Sequence, residues 1–207
     1  MIQETSLTGI IMATGLEARP FIKSFKMREI EDRPFSVYGC DEIILIISGI
    51  GKANASMATS YICTRFDPEW VINLGAAGAT QASRELGGIY HIEKVIEPDR
   101  PDLGSGTPYV QTPDVLPGFQ KAILATQDKP VERPEDFQHV ALLADLVDME
   151  GASVVQASRR FGKRCLLFKF VSDTPVHAGK GDLIIEHIRD YSAHFCAFIS
   201  NALIPIL

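Results

Sequence analysis

The sequence contains no apolar run approaching the roughly 18–20 residues needed to cross a bilayer. It has no block of like charge and no basic stripe, and its formal net charge is −6. Nucleic acid and anionic membrane are therefore not expected as partners. Cysteine is scarce: Cys40, Cys63, Cys165 and Cys196 are scattered, with no CxxC and no paired Cys/His spacing. That argues against structural zinc and for reduced, mostly buried thiols in a cytoplasm. The five histidines show no i, i+4 ligand pair; His187 and His194 lie seven apart on one expected helix, which reads as a face rather than a metal site. There is no GxSxG elbow, no GxxxxGK(S/T) loop and no internal repeat. The opening stretch "MIQETSLTGIIMATG" lacks the basic start and long apolar core of a signal peptide. Neither a metal nor an organic cofactor is implied.

What remains is an ordinary globular composition: 207 residues, 46% apolar and 22% charged. It is read as one domain spanning residues 1–207, long enough to bury a full core. Short apolar runs at 7–14, 42–49, 69–79, 87–98, 120–127 and 164–173 read as strands, and 35–40 pairs with 42–49 as a hairpin. Helical spacing is expected over 16–25, with Pro20 tolerated only near the start. Further helices are expected over 52–66, 135–143, from the end of "ADLVDM" to about Phe161, and over about 181–203. Strands alternating with helices predict a three-layer α/β/α fold around a central mixed, largely parallel sheet. Residues 98–118, rich in proline and glycine, read as an irregular loop that rims a pocket.

In such sheets ligands bind outside the carboxyl ends of the strands. Three acids fall there: Glu17, Glu150 and Asp173. Converging on one cleft, they would supply an acid, a base and a hydroxyl acceptor, the means to cleave a glycosidic bond. Each also has an ordinary explanation. Glu150 suits the first turn of a helix, Asp173 suits a cap, and Glu17 suits a pair with a lysine. "SGIGKANAS" (48–56) opens a helix and offers either a phosphate site or a tight turn, the turn being favoured. In "NLGAAGA" (73–79) small residues admit either a ligand or close packing.

Taken in order, "GIIMATGLEA" (9–18), "SGIGKANAS" (48–56), "VINLGAAGA" (71–79), "LVDMEGASVVQAS" (146–158) and "FVSDTP" (170–175) resemble the purine nucleoside phosphorylase / methylthioadenosine–adenosylhomocysteine nucleosidase superfamily. "DMEGA" followed by "SD" is the specific part. The resemblance implies a purine nucleoside as ligand. Glu150 would accept the ribose hydroxyls and Met149 would flank the sugar. Asp173, next to Ser172, would protonate the departing base, and Glu17 would position the attacking water. Ala76, Ala77 and Gly78 would line the pocket, and an adenine base is favoured over a 6-oxopurine by the acid at 173. Phosphorolytic members hold phosphate with arginines and a serine. Asn73 and Ala76 stand at two of those positions here, and the Gly-Asp-Pro signature is missing, so water is the favoured nucleophile.

The chain is also shorter than is usual for the nucleosidases, the shortfall falling between about residues 100 and 125. Pro130 and Val131 stand where an aromatic normally stacks on the base. The resemblance further implies a homo-oligomer, expected as a dimer. A phosphorylase and a binding protein without turnover remain the alternatives, together with a plain α/β domain whose acids are structural.

Overall fold

The structure, a computed structural model, describes residues 7–131 and 133–207. The beginning of the stretch read for a signal peptide lies outside the described residues. The first apolar run forms β1 (Thr8–Met12), buried at every position. Parallel neighbours cover both its edges, β4 (Ile43–Ile47) and β5 (Trp70–Ala79). β4 is preceded by the expected hairpin partner β3 (Ser36–Cys40), which in turn carries β2 (Arg28–Glu31) at the exposed edge. Three of the four β2 residues are exposed, which explains why no apolar pattern announces this strand.

Beyond β5 the sheet curls. β5 pairs along its length with β10 (Arg164–Asp173), and β10 meets β6 (Ile89–Pro101) antiparallel. β6 pairs with β8 (Lys121–Thr126), β8 with β9 (Leu146–Asp148), and β9 returns to Gly78 and Ala79 at the end of β5. One edge of β5 therefore changes partner: Trp70–Asn73 pair with β1, and Gly78–Ala79 pair with β9. Between them, Leu74–Ala77 face a gap in the ladder.

Side chains alternate across the sheet and build two cores. Ile11 and Leu167 join one, beneath α2 (Lys52–Arg65) and α4 (Gly151–Arg160). Ile10 and Phe168 join the other, beneath α1 (Gly15–Ser24) and α5 (Gly181–Phe198). These are the expected three layers. Phe21 of α1 meets Phe195 of α5 edge to face at 6.0 Å, which ties the two helices together. The last helix continues through a π turn at Ile199–Leu203, and the short α3 (Pro134–Ala141) packs near β8 and β9.

Two expectations require correction. Residues 98–118 are not an irregular rim: β6 runs to Pro101 and β7 (Pro108–Gln111) folds back on it. Gln111 is buried and donates to Glu97 and to the Ala152 carbonyl, so polar anchoring replaces the missing apolar pattern. Pro20 lies in the second turn of α1 rather than near its start. The helix is secured from its beginning by a capping box between Thr14 and Glu17, which offsets the one backbone bond that proline removes. Among the described residues no helix is long and apolar enough to cross a membrane.

Candidate active site

The gap beside β5 opens at the carboxyl ends of β1, β5, β9 and β10, and a cleft with two connected halves lies there. The inner half, about 190 Å³, is lined by Thr14, Glu17, Ala76, Ala77, Gly78, Met149, Glu150 and Ser172, among others. The outer half, about 300 Å³, is lined by Val131, Phe137, Met149, Asp173 and Ile184, among others. Gly78, Val147, Asp148 and Met149 border both. Glu17, Glu150, Ala76, Ala77 and Ser172 thus line one half, Asp173 and Val131 line the adjoining half, and Gly78 and Met149 lie between; together the halves have the size of small-molecule sites.

Glu17 is held by three hydrogen bonds at once. Its Oε2 accepts the Thr14 hydroxyl at 2.6 Å and the Thr14 N–H at 3.0 Å. Its Oε1 accepts the Ala76 N–H at 2.8 Å, a donor that the gap in the β5 ladder leaves free. The side chain is buried, and these bonds fix it in one orientation. Close approach requires glycine at position 75, where a Cβ would stand 2.7 Å from the Glu17 Oε1. The same holds at Gly78, where a Cβ would stand 2.9 Å from the Asp173 Oδ2. The small residues of "NLGAAGA" thus make room for the protein's own carboxylates.

Glu150 is the N-cap residue of α4, yet its side chain makes no cap bond there. It reaches across the cleft and accepts the Gly51 N–H at 2.9 Å. Burial, with repulsion from Asp148, pushes its carboxyl up to about 7, against the pull of Lys169 and the Gly51 N–H. The neighbouring N–H, that of Lys52, donates to Asp128 at 2.9 Å. The start of α2 is therefore filled by two carboxylates. "SGIGKANAS" is the tight turn, with Gly49 and Gly51 at positive φ, and not a phosphate site.

Asp173 ends β10 just after a register shift against β5, a bulge that passes over Ser172. Its Oδ1 accepts the Ser172 hydroxyl at 2.6 Å. Burial pushes its carboxyl up, opposed by the Ser172 hydroxyl. Thr174, not Asp173, caps the turn that follows.

Three residues at the site, Lys169, Asp148 and Phe137, received no role from the sequence. Lys169 is fully buried and bonds Asp148 at 2.8 Å. Burial opposes its charge, but the carboxylates of Asp148, Glu150 and Glu17 outweigh that and hold the ammonium above the ordinary lysine range. A lone cation inside "CLLFKFVSD" was its available signal, since a buried charge demands partners. Asp148 accepts from Lys169, from the Thr126 hydroxyl at 2.6 Å and from the Gly151 N–H at 2.8 Å, so it organises the "VDMEG" junction. Phe137 of α3 stands beside Pro130 and Val131 in the outer half, so an aromatic does line the cleft, supplied by a later element. Among the described residues no arginine lines either half of the cleft. Arg84 instead pairs with Asp145, over the Tyr90 ring, and Arg19 is exposed. No cluster of three metal-ligating side chains occurs among the described residues.

Comparisons with known proteins place the chain in a family. The phosphorylase superfamily family model matches residues 8–133 and 119–204. A 5'-methylthioadenosine/S-adenosylhomocysteine nucleosidase of Bacillus thuringiensis is 30% identical over 189 residues, covering 78% of this chain and 80% of that protein. The nucleosidase of the same name from Bacillus cytotoxicus is 28% identical over 230 residues, covering 94% and 96%. Among solved structures, the Helicobacter pylori 5'-methylthioadenosine/S-adenosylhomocysteine nucleosidase with butyl-thio-DADMe-Immucillin-A superposes with a TM-score of 0.86 at 20% identity, over 99% of this chain and 100% of that one. A futalosine hydrolase mutant of the same organism superposes with a TM-score of 0.82 at 18% identity, over 94% and 97%. The match spans almost the whole described chain, and with the cleft at the carboxyl ends of its strands the protein belongs to the phosphorylase superfamily.

Proposed function

We propose that the protein hydrolyses the N-glycosidic bond of a purine nucleoside. The observation that carries this reading is that Glu17 and Glu150 line one half of the cleft around a buried lysine, while Asp173 lines the half that adjoins it. Cleavage of the bond between C1′ and the purine nitrogen sends the bond electrons out with the base and leaves positive charge on the sugar. Asp173, whose carboxyl is pushed towards its protonated form, donates its proton to the base. Glu17, Asp148 and Glu150 surround the single cation Lys169, so the inner half favours a positive sugar ring. Glu17 has three of its acceptor positions occupied by Thr14 and Ala76. A remaining lone pair orients the water that adds to C1′ and takes its proton. Glu150 accepts the ribose hydroxyls, and Met149 packs under the ring.

Water rather than phosphate is the nucleophile. Ala76 offers no hydroxyl, no arginine lines the cleft among the described residues, and the α2 N-terminus is filled by carboxylates. A phosphate dianion would meet net negative charge. The substrate is a 5'-substituted adenosine, as the names of the Bacillus relatives suggest. Asp173 serves the adenine, against Val131 and Phe137. Ile50, Met149 and Ile188 give the inner half an apolar side for the 5' group. Ile50 and Met57 are 56% and 55% exposed, seven residues apart, and a second copy of the chain covers them in a homodimer. Four free thiols suit a reducing compartment, the cytoplasm.

The test is to incubate the protein with a panel of purine nucleosides, with and without phosphate, and to separate free base by chromatography. Adenine release in phosphate-free buffer is expected, fastest for 5'-thioether nucleosides. Release that depends on phosphate makes the protein a phosphorylase. Nucleoside binding without any release makes it a binding protein.

A further inference from the structure

Two histidines behind the cleft have no part in the reaction as described, and their hydrogen bonds meet on the peptide groups that flank Asp173. The backbone there has lost regular pairing: the β10–β5 register jumps from Val171 opposite Ala77 to Asp173 opposite Gly78. His187 of α5 takes up the Ser172 carbonyl through Nδ1 at 2.9 Å. A carbonyl only accepts, so His187 carries its proton on Nδ1. His177, in the turn Pro175–His177, stands on the other side of the aspartate. Its Nδ1 accepts the Thr174 N–H at 3.1 Å and lies 3.1 Å from the Thr174 hydroxyl. A backbone N–H only donates, so the Nδ1 of His177 accepts and its proton sits on Nε2. The two rings meet at 90° with centroids 5.1 Å apart, each half-buried.

We propose that His177 and His187 are positioning residues: in opposite tautomers they clamp the Ser172 carbonyl and the Thr174 N–H, and so hold the Asp173 carboxyl towards the purine. The proposal rests on the proposed hydrolysis for its link to catalysis, and on the hydrogen bonds alone for the clamp. A bulge bends the chain and re-aims a side chain, but it leaves backbone groups without ladder partners. The histidines supply those partners from two separate elements. They also join the strand end to the segment Ala178–Gly181, which lines the outer half of the cleft. The ionisable groups around the pair are Asp173 from β10, Tyr191 further along α5, with its ring 6.2 Å from His187, and Lys180, whose ammonium donates to the Val176 carbonyl. None of these takes the two Nδ1 positions, so the tautomers are set by the backbone of residues 172–174.

Four variants test this. Asparagine can accept at position 177 and donate at position 187, whereas leucine can do neither. His177→Leu and His187→Leu are expected to lower kcat for purine release by roughly 10–10²-fold with KM changed far less, as for a misplaced reacting group. His177→Asn and His187→Asn are expected to recover most of that loss. Leucine variants that keep the wild-type kcat overturn the proposal, as do asparagine variants no better than leucine at equal thermal stability. A second measurement needs neither variants nor turnover. Nitrogen-15 NMR of the histidine rings in the wild-type protein should find His177 protonated on Nε2 and His187 on Nδ1. The opposite assignment, or rapid exchange between tautomers at either ring, refutes the clamp. If the wild-type protein releases no base from any nucleoside, the proposed hydrolysis fails, while the ring tautomers still decide the clamp.

Discussion

Glu150 should cost the protein stability at the pH where it works. Its carboxyl is buried beside Asp148 and Glu17 and sits at about 7, against an ordinary 4.5. An acid whose value is raised on folding favours the folded state while it is protonated. That contribution is whole below about 4.5 and is lost as pH rises through about 7. The gap corresponds to about 3 kcal/mol. Glu150→Gln keeps an oxygen to accept the Gly51 N–H and removes the charge. At pH 8 the variant should therefore be more stable than the parent by up to about 3 kcal/mol, or roughly 6–12 °C in melting temperature for a chain of this size. At pH 5 the gap should shrink to about 1 kcal/mol or less, because the folded carboxyl is neutral there and only the unfolded one is largely ionised. Lys169 retains Asp148 as its direct partner in either case. The assay is thermal unfolding of both proteins from pH 5 to 8, followed by circular dichroism. A variant less stable than the parent at pH 8, or a difference that does not change with pH, would refute the electrostatic account. The same substitution should depress purine release, since a neutral amide is a weaker acceptor for ribose hydroxyls.

Asp173→Asn retains the oxygen that accepts the Ser172 hydroxyl and should leave unfolding within about 1 kcal/mol of the parent. Turnover should fall by roughly 10²–10⁴-fold, because an amide cannot transfer the proton; unchanged kcat identifies another acid. Gly75→Ala places a methyl group 2.7 Å from the Glu17 Oε1 and should break its bond to Ala76. Loss of that hydrogen bond costs about 1 kcal/mol, while kcat drops on the order of 10²-fold; urea unfolding and steady-state rates separate the two. Lys169→Met leaves Asp148 buried without its cation and should destabilise by about 3–5 kcal/mol in urea unfolding. A smaller loss would mean that water enters to solvate Asp148.

Covering both faces of the sheet has a consequence for the site. Because β1, β5 and β10 are apolar over most of their length, polar side chains can leave the sheet only near its carboxyl ends. Asn73 and Lys169 are exceptions, and a charge in mid-strand such as Lys169 is tolerable only because Asp148 meets it directly, with Glu17 and Glu150 adding their pull. The buried pair thereby links β10 to the β9–α4 junction, and the junction in turn carries Glu150.

Much of this protein is written locally. The apolar strands, the small-residue helix starts and the acids at strand ends follow from composition and spacing, because each element must bury its own apolar face whatever surrounds it. The approximate place of the cleft followed too, since ligands of such sheets bind outside the carboxyl ends of the strands, where these carboxylates and glycines fall. Tertiary structure decided what depends on residues distant in the chain. β5 exchanges β1 for β9 and so frees the Ala76 N–H for Glu17. Glu150 reaches Gly51 rather than capping its own helix, and Phe137 lines the cleft from α3. The strand at Arg28–Glu31 and the hairpin arm at Pro108–Gln111 are held by pairing with neighbours and by polar anchors, which leave no period in the sequence. The charge states of the acids belong to the fold as well, because burial and neighbouring charges exist only once the chain has closed around them.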